Sequence, residues 1–219
     1  MSETFEIARK NMVVNQLRPN KINEENILQI FENTPKENYL DVSLGKNCYL
    51  DNNLDITDKR GYLKNLHLAQ IIKYSKILPN DKVLHIGGLT GYFSALISSL
   101  CEELHVVEEN RELFKLLEHN ISNTGTSNIS LFNHNLLDGL VDKAPFNLII
   151  IDGPIFKITD KLKNQLAMNG GRLIYIKKIY DNLGKAYKII RNEDLYSSEY
   201  LFDVMSSYQI QEQQEDFKF

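Results

Sequence analysis

Val83-Leu84-His85-Ile86-Gly87-Gly88-Leu89-Thr90-Gly91-Tyr92 is the stretch whose reading decides the fold. A short apolar run suited to a buried parallel strand meets three glycines, and Phe93, Leu96, Ile97 and Leu100 then recur at helical spacing. Strand, glycine turn and helix in that order build the first unit of a nucleotide-cofactor fold. Glycines allow the tight turn and let a ligand approach the amides at a helix N-terminus, where partial positive charge gathers. Leu89 interrupts this cradle, and His85 stands two residues before its first glycine.

Downstream the pattern continues to alternate. Residues 83–87 read as a first strand, with a helix to residue 100, a second strand over 104–108 and a helix over 111–121 carrying Leu113, Leu117 and Ile121 on one face. Residues 129–132 make a third strand. A fourth, over 146–152, contains four consecutive aliphatics and is expected at the centre of the sheet. A helix over 159–167, closed by Gly170-Gly171, leads to a fifth strand over 172–176. Strand-helix alternation of this kind predicts a mostly parallel sheet with helices on both faces. Residues 185–191 and 196–204 read as an antiparallel edge hairpin, followed by a Gln- and Glu-rich tail expected to be free from Ser207 to Phe217 and Phe219.

Upstream, residues 3–34 read as two helices, one presenting Phe5, Ala8 and Met12 and the other Ile27, Ile30 and Phe31. Residues 35–60 have poor periodicity and read as an irregular connector anchored by Tyr39, Leu40 and Tyr49; long loops of this kind often carry function. A helix follows over 64–76, with Leu68, Ile71 and Ile72 inward. The expected organisation is one domain over 1–219: N-terminal helices and connector to residue 62, a Rossmann-like core over 63–204, and a tail.

Composition narrows the function. A formal net charge of -4 argues against a general nucleic-acid binder. Cys48 and Cys101 are too few for a disulfide framework, and neither has a second ligand at metal-site spacing, so no metal is expected. No apolar run reaches the roughly 20 residues of a membrane span, and the acidic N-terminus lacks an apolar signal core, which points to the cytoplasm.

In a doubly wound sheet, ligands bind outside the carboxyl ends of the strands, which here are Gly87, Glu108 and Asp152. Glu108 closes the second strand 21 residues after Gly87, where an acid can accept hydrogen bonds from both hydroxyls of a ribose. The plainer reading is a solvated acid opening a helix, a role that Glu109 can also fill. Asp152-Gly153-Pro154 reads equally as a substrate-positioning loop or a turn that stops the strand. His67 and His119 are expected on solvated helix faces, His105 as a hydrogen-bonded sheet histidine, and His134 in a turn with Asn135.

The order of these motifs resembles the protein L-isoaspartate O-methyltransferases over nearly the whole chain. Met12-Val13, Gln16-Leu17, Pro35-Lys36-Glu37-Asn38-Tyr39-Leu40, Tyr49-Leu50-Asp51 with Leu54 and Ile56, Val107-Glu108, Ala144-Pro145-Phe146-Asn147 and Gly170-Gly171-Arg172-Leu173 carry the likeness. The resemblance implies a class I methyltransferase fold, S-adenosylmethionine as cofactor, and damaged proteins or peptides with isoaspartyl residues as substrates. It places the cofactor among His85, Gly87, Gly88, Leu89, Gly91, Glu108 and Asn135. The chain also departs from the family. His85 replaces an acid that helps hold the cofactor's amino group, Leu89 stands for a glycine, and Asn135 stands for an adenine-contacting aspartate. Lys59-Arg60-Gly61-Tyr62-Leu63 replaces a glycine-glutamine-threonine-isoleucine-serine segment, so its hydroxyls fall on Gly61 and Leu63 and no catalytic hydroxyl can be assigned. Thr57 and Tyr62 read as turn and packing residues. Two rival functions follow from these departures: a noncatalytic relative that binds a partner, and a methyltransferase with another acceptor.

Overall fold

In the computed structural model, which describes residues 2–210, the glycine turn sits beside the middle of a seven-stranded sheet. The chain begins with α1 (Ser2–Met12), continues through a π-helical turn over Val13–Leu17, and adds α2 (Glu25–Asn33) and the single turn α3 (Val42–Gly45). A small hairpin, β1 (Leu54–Asp55) and β2 (Gly61–Tyr62), precedes α4 (Asn65–Ser75). Then come β3 (Lys82–Ile86), α5 (Tyr92–Ser98), β4 (Glu103–Val107), α6 (Arg111–Ser122), β5 (Ile129–Phe132), β6 (Leu148–Ile155), α7 (Asp160–Lys163), β7 (Asn169–Tyr180), β8 (Leu183–Asn192) and β9 (Leu195–Met205).

The sheet order is β5-β4-β3-β6-β7-β8-β9, parallel through β7 and antiparallel for the last two strands. β6 is therefore central, and its Leu148, Ile149, Ile150 and Ile151 are fully buried. Burying each such side chain stabilises the fold by roughly 1.5–3 kcal/mol. The two-residue period of β3 splits its side chains between two cores. Val83 packs with the apolar faces of α4, α5 and α6, while Leu84 and Ile86 meet Phe146, Leu162 and Leu166 beneath short helical turns. Register pairs Ile86 with Val107, which brings the residues after both strands, Gly87 and Glu108, side by side.

Four expectations need correction. The helix predicted over 159–167 is only α7, because the backbone after it is committed elsewhere: Phe146 N donates to Gln165 O and Ala167 N to Phe146 O, a short parallel bridge incompatible with helix. The fifth strand is longer than 172–176, since β8 pairs with it from Asn169 to Tyr180. His67 is buried at 7% exposure, its ring stacked on Phe202 of the edge strand, rather than solvated. Finally, Tyr208, Gln209 and Ile210 are docked against the body of the protein instead of hanging free. Phe217 and Phe219 lie outside the described residues.

The connector is irregular but firmly anchored. The Tyr49 hydroxyl donates to Glu37 and accepts from Lys36 N at 2.9 Å, and Arg9 Nη1 donates to Glu37 Oε1 at 3.2 Å. These bonds tie α1 to the segment that leads into the β1–β2 hairpin. The hairpin in turn overhangs the carboxyl end of the sheet. Among the described residues no helix is long and apolar enough to cross a membrane.

Candidate functional site

Three side chains converge on Gly87. A Cβ added there would lie 3.2 Å from Asp152 Oδ1, 3.2 Å from Ile210 Cδ1 and 3.4 Å from Arg60 Nη2. Gly87 also has φ of +100°, a conformation that glycine adopts without the penalty a side chain would bring. Gly88 and Gly91 serve a different purpose. Cβ atoms on them would press on Leu117 at 2.7 and 3.1 Å, so these glycines admit α6 against the turn. Leu89 takes a left-handed φ of +49° and is 3% exposed. It lines the small cavity over the turn while packing into the helical core.

Glu108 is at the expected strand end, but its carboxylate is fully engaged. Arg60 Nη1 and Nη2 donate to Oε1 and Oε2 at 2.6 and 2.8 Å; Asn110 N and Leu89 N add bonds of 3.0 Å each. The Glu108 side chain is wholly buried and that of Arg60 is 13% exposed. Burial opposes the Arg60 charge, yet the bonds and charge of Glu108 outweigh it and hold the guanidinium pKa above its ordinary value. Two parallel N–H···O bonds between planar groups are the strong form of such a pair.

The amides of the turn are consumed too. Gly87 N and Gly88 N donate to Val107 O, Gly91 N to Gly88 O, and Leu89 N to Glu108. Thr90 N and Tyr92 N both donate to the Tyr62 hydroxyl, at 3.2 and 3.0 Å. With both lone pairs of Tyr62 taken, its hydrogen points to Thr90 Oγ1 at 2.9 Å. Tyr62, read from sequence as a packing residue, is thus also the internal cap of the turn. Thr57 is a turn residue as expected, its Oγ1 accepting from Arg60 N.

His85 is fully buried. Nδ1 lies 2.9 Å from Ser94 Oγ, the ring meets Phe93 edge-on, and Nε2 faces Asp152 Oδ1 at 3.5 Å without a hydrogen bond. Asn135 stands apart from this cluster: it is exposed, and Oδ1 caps the short helical turn Leu136–Asp138 by accepting from Leu137 N and Asp138 N. Its Nδ2 reaches Glu109 Oε2 at 3.5 Å. His105 is bonded to Glu103 within the sheet at 2.8 Å, and His134 and His119 are exposed. Among the described residues no His, Cys, Asp and Glu cluster could hold a metal.

Sequence reasoning missed Arg60 and Ile210. Arg60 was visible as a cation in the segment that replaces the family's hydroxyl loop, opposite in charge to the acid expected at the end of the second strand. Ile210 left no signal, because only the path of the chain brings it here. Together they reduce the cavity over the turn to about 10 Å³. That is room for about one water, whereas small-molecule pockets span roughly 300–1,000 Å³. A nucleoside cofactor does not fit this arrangement: the volume is absent, both Glu108 oxygens are taken, and the turn has no amide to spare.

Comparison with known proteins places this geometry in context. A family model described as protein-L-isoaspartate(D-aspartate) O-methyltransferase matches residues 8–204. Similar sequences include a protein-L-isoaspartate O-methyltransferase of Koribacter versatilis, 30% identical over 78% of this chain and 76% of the relative. Another, from Geobacter metallireducens, is 25% identical over 87% of each chain. Among solved structures, a protein-L-isoaspartate O-methyltransferase superposes with a TM-score of 0.77 at 19% identity, covering 90% of this chain and 65% of the other. That last likeness is one of fold.

Proposed function

Because the chain belongs to the protein-L-isoaspartate(D-aspartate) O-methyltransferase family, we propose that it is an S-adenosylmethionine-dependent methyltransferase acting on the carboxylate of isoaspartyl residues in damaged proteins or peptides. The observation that carries this reading is the extent of the match. It spans the N-terminal helices and the sheet alike, and so includes the connector and hairpin that overhang the strand ends. The cofactor supplies the methyl group when bound. The proposed cofactor residues are His85, Gly87, Gly88, Leu89, Gly91, Glu108 and Asn135, of which Glu108 must first be released by Arg60.

A carboxylate acceptor suits a site with no catalytic hydroxyl. An aspartyl-type carboxyl has an ordinary pKa near 4 and is already ionised at neutral pH, so no general base is needed. The protein's task is to align the attacking oxygen and exclude water. The replacement of hydroxyls by Gly61 and Leu63 leaves that task to shape. Leu63 is 1% exposed and belongs to the core, and a Cβ on Gly61 would strike Leu54 O and the Tyr208 ring, at 2.3 and 2.6 Å.

The closed cavity favours a second reading, a relative that keeps the fold without the activity. Incubation with an isoaspartyl peptide and methyl-labelled S-adenosylmethionine separates the two, with the ester scored as base-labile label. Transfer to the isoaspartyl peptide, and none to its aspartyl counterpart, is the expected result. Absence of transfer by wild type and by variants with an opened pocket supports the noncatalytic relative.

A further inference from the structure

We propose that residues 206–210, acting with Arg60, are an intramolecular occupant of the cofactor site, a strap that must leave before a nucleoside ligand enters. This rests on the reading that the site takes S-adenosylmethionine and concerns how its access is regulated. The strap leaves β9 and crosses the carboxyl end of the sheet. Ser206 N donates to Asn182 O and Tyr208 N to Ser206 Oγ, each at 3.1 Å. Gln209 N then donates to Lys59 O at 3.0 Å, and Ile210 N to Pro154 O at 2.8 Å. Its middle therefore bridges the β1–β2 hairpin on one side and the end of β6 on the other. The Ile210 side chain enters between Gly87 and Gly153, where added Cβ atoms would lie 3.2 and 2.6 Å from it.

Arg60 and the strap are mechanically coupled, because the strap holds the hairpin that carries Arg60. The Tyr208 hydroxyl donates to Asp55 Oδ1 at 2.6 Å, and its ring lies on Gly61. Asp55, Lys59 and Gly61 thus grip the strap from the same hairpin that sends Arg60 to Glu108. In this position Arg60 satisfies both oxygens that a ribose would seek, and Ile210 fills the space over the first glycine. One outer clamp lies away from the cavity: Lys178 Nζ donates to Ser207 O at 3.1 Å, to Tyr208 O at 3.5 Å and to Gln209 Oε1 at 3.2 Å. A segment that follows the last strand and is held by scattered hydrogen bonds rather than by a sheet ladder belongs to the parts of a protein that open locally.

When only the open form binds, apparent affinity is the intrinsic affinity multiplied by the open fraction. Loosening the strap must therefore tighten binding even when the change is remote from the ligand. The test is calorimetric titration of full-length wild type, Ile210→Ala and Lys178→Met with S-adenosylhomocysteine, the non-reacting product of methyl transfer. Amide hydrogen exchange over residues 206–210 is followed in parallel. The expected result is affinity at least about tenfold higher in both variants, equivalent to about 1.4 kcal/mol, with faster exchange of the segment. Lys178→Met removes a half-buried clamp outside the core clusters, and the urea stability of the variant is checked beside its affinity. Equal affinity in all three proteins, or no binding by any of them, overturns the proposal. So does a gain in Ile210→Ala alone, which would assign the barrier to one side chain. Variants that bind S-adenosylhomocysteine more tightly, yet methylate no isoaspartyl peptide, would sink the proposed activity and leave the strap intact.

Discussion

Replacing Glu108 with alanine should destabilise the protein before it tells anything about a ligand. The carboxylate satisfies four donors, two from Arg60 and the amides of Leu89 and Asn110, at distances of 2.6 to 3.0 Å. Removing one member of a buried pair typically costs about 3–5 kcal/mol, because the surviving charge is left without compensation. The Arg60 side chain is 13% exposed, so water can reach part of the guanidinium, and the expected loss for Glu108→Ala lies near 3 kcal/mol at the lower end of that range. The two stranded amides keep it from falling much lower, since an unsatisfied buried donor costs about 1–3 kcal/mol. Against a typical total stability of about 5–15 kcal/mol, the variant should still fold. Urea unfolding of wild type, Glu108→Ala, Arg60→Met and the double variant gives the test. The double variant should lose less than the sum of the two singles, by about 1–3 kcal/mol of coupling. A Glu108→Ala loss below about 1 kcal/mol, or strictly additive losses, would refute a buried, fully engaged ion pair and return Glu108 to the role of a free acceptor.

Two further outcomes follow from the same structure. Lys36 is 1% exposed, with its ammonium 3.0 Å from Asn65 Oδ1 and above the Tyr62 and Tyr92 rings; burial lowers its pKa to about 8 from the ordinary 10.5. Between those values the unfolded chain binds one more proton than the native protein, so this lysine's contribution to stability rises with pH and is most unfavourable below pH 8. Cys48 and Cys101, pushed up to about 12 by burial, act in the opposite sense above pH 9. The comparison is therefore wild type against Lys36→Met: their difference in urea stability should move by about 1 kcal/mol in favour of wild type from pH 8 to pH 9, and a constant difference would mean that Lys36 does not titrate there. Leu89→Gly relieves a left-handed backbone worth about 1–2 kcal/mol but removes a buried side chain worth roughly 1.5–3 kcal/mol. Its stability should fall by about 1 kcal/mol, and its affinity for S-adenosylhomocysteine should not change, because Arg60 and Ile210 still fill the site. A large affinity gain in a thermal-shift or calorimetric assay would identify Leu89 as the block instead.

The sheet was legible because its signals are local and repeated. Four aliphatics in a row over 148–151 mark a strand buried on both faces, and Leu113, Leu117 and Ile121 mark one face of a helix, whatever surrounds them. Glu108 at a strand end beside a glycine turn could be placed for the same reason, since register follows from the two-residue period. What sequence alone determined was therefore the strand-helix order, the family and the meeting of Gly87 with Glu108 at the strand ends. Tertiary structure decided which side chains gather over them. Arg60 is 48 residues from Glu108 and Ile210 is 123 residues beyond Gly87, and no periodicity links positions so far apart. Whether an acid accepts a ribose or a guanidinium depends on where a short hairpin and the segment after the last strand come to rest. Those positions are set by scattered hydrogen bonds, such as Tyr208 to Asp55 and Gln209 to Lys59, which leave no pattern in the order of residues.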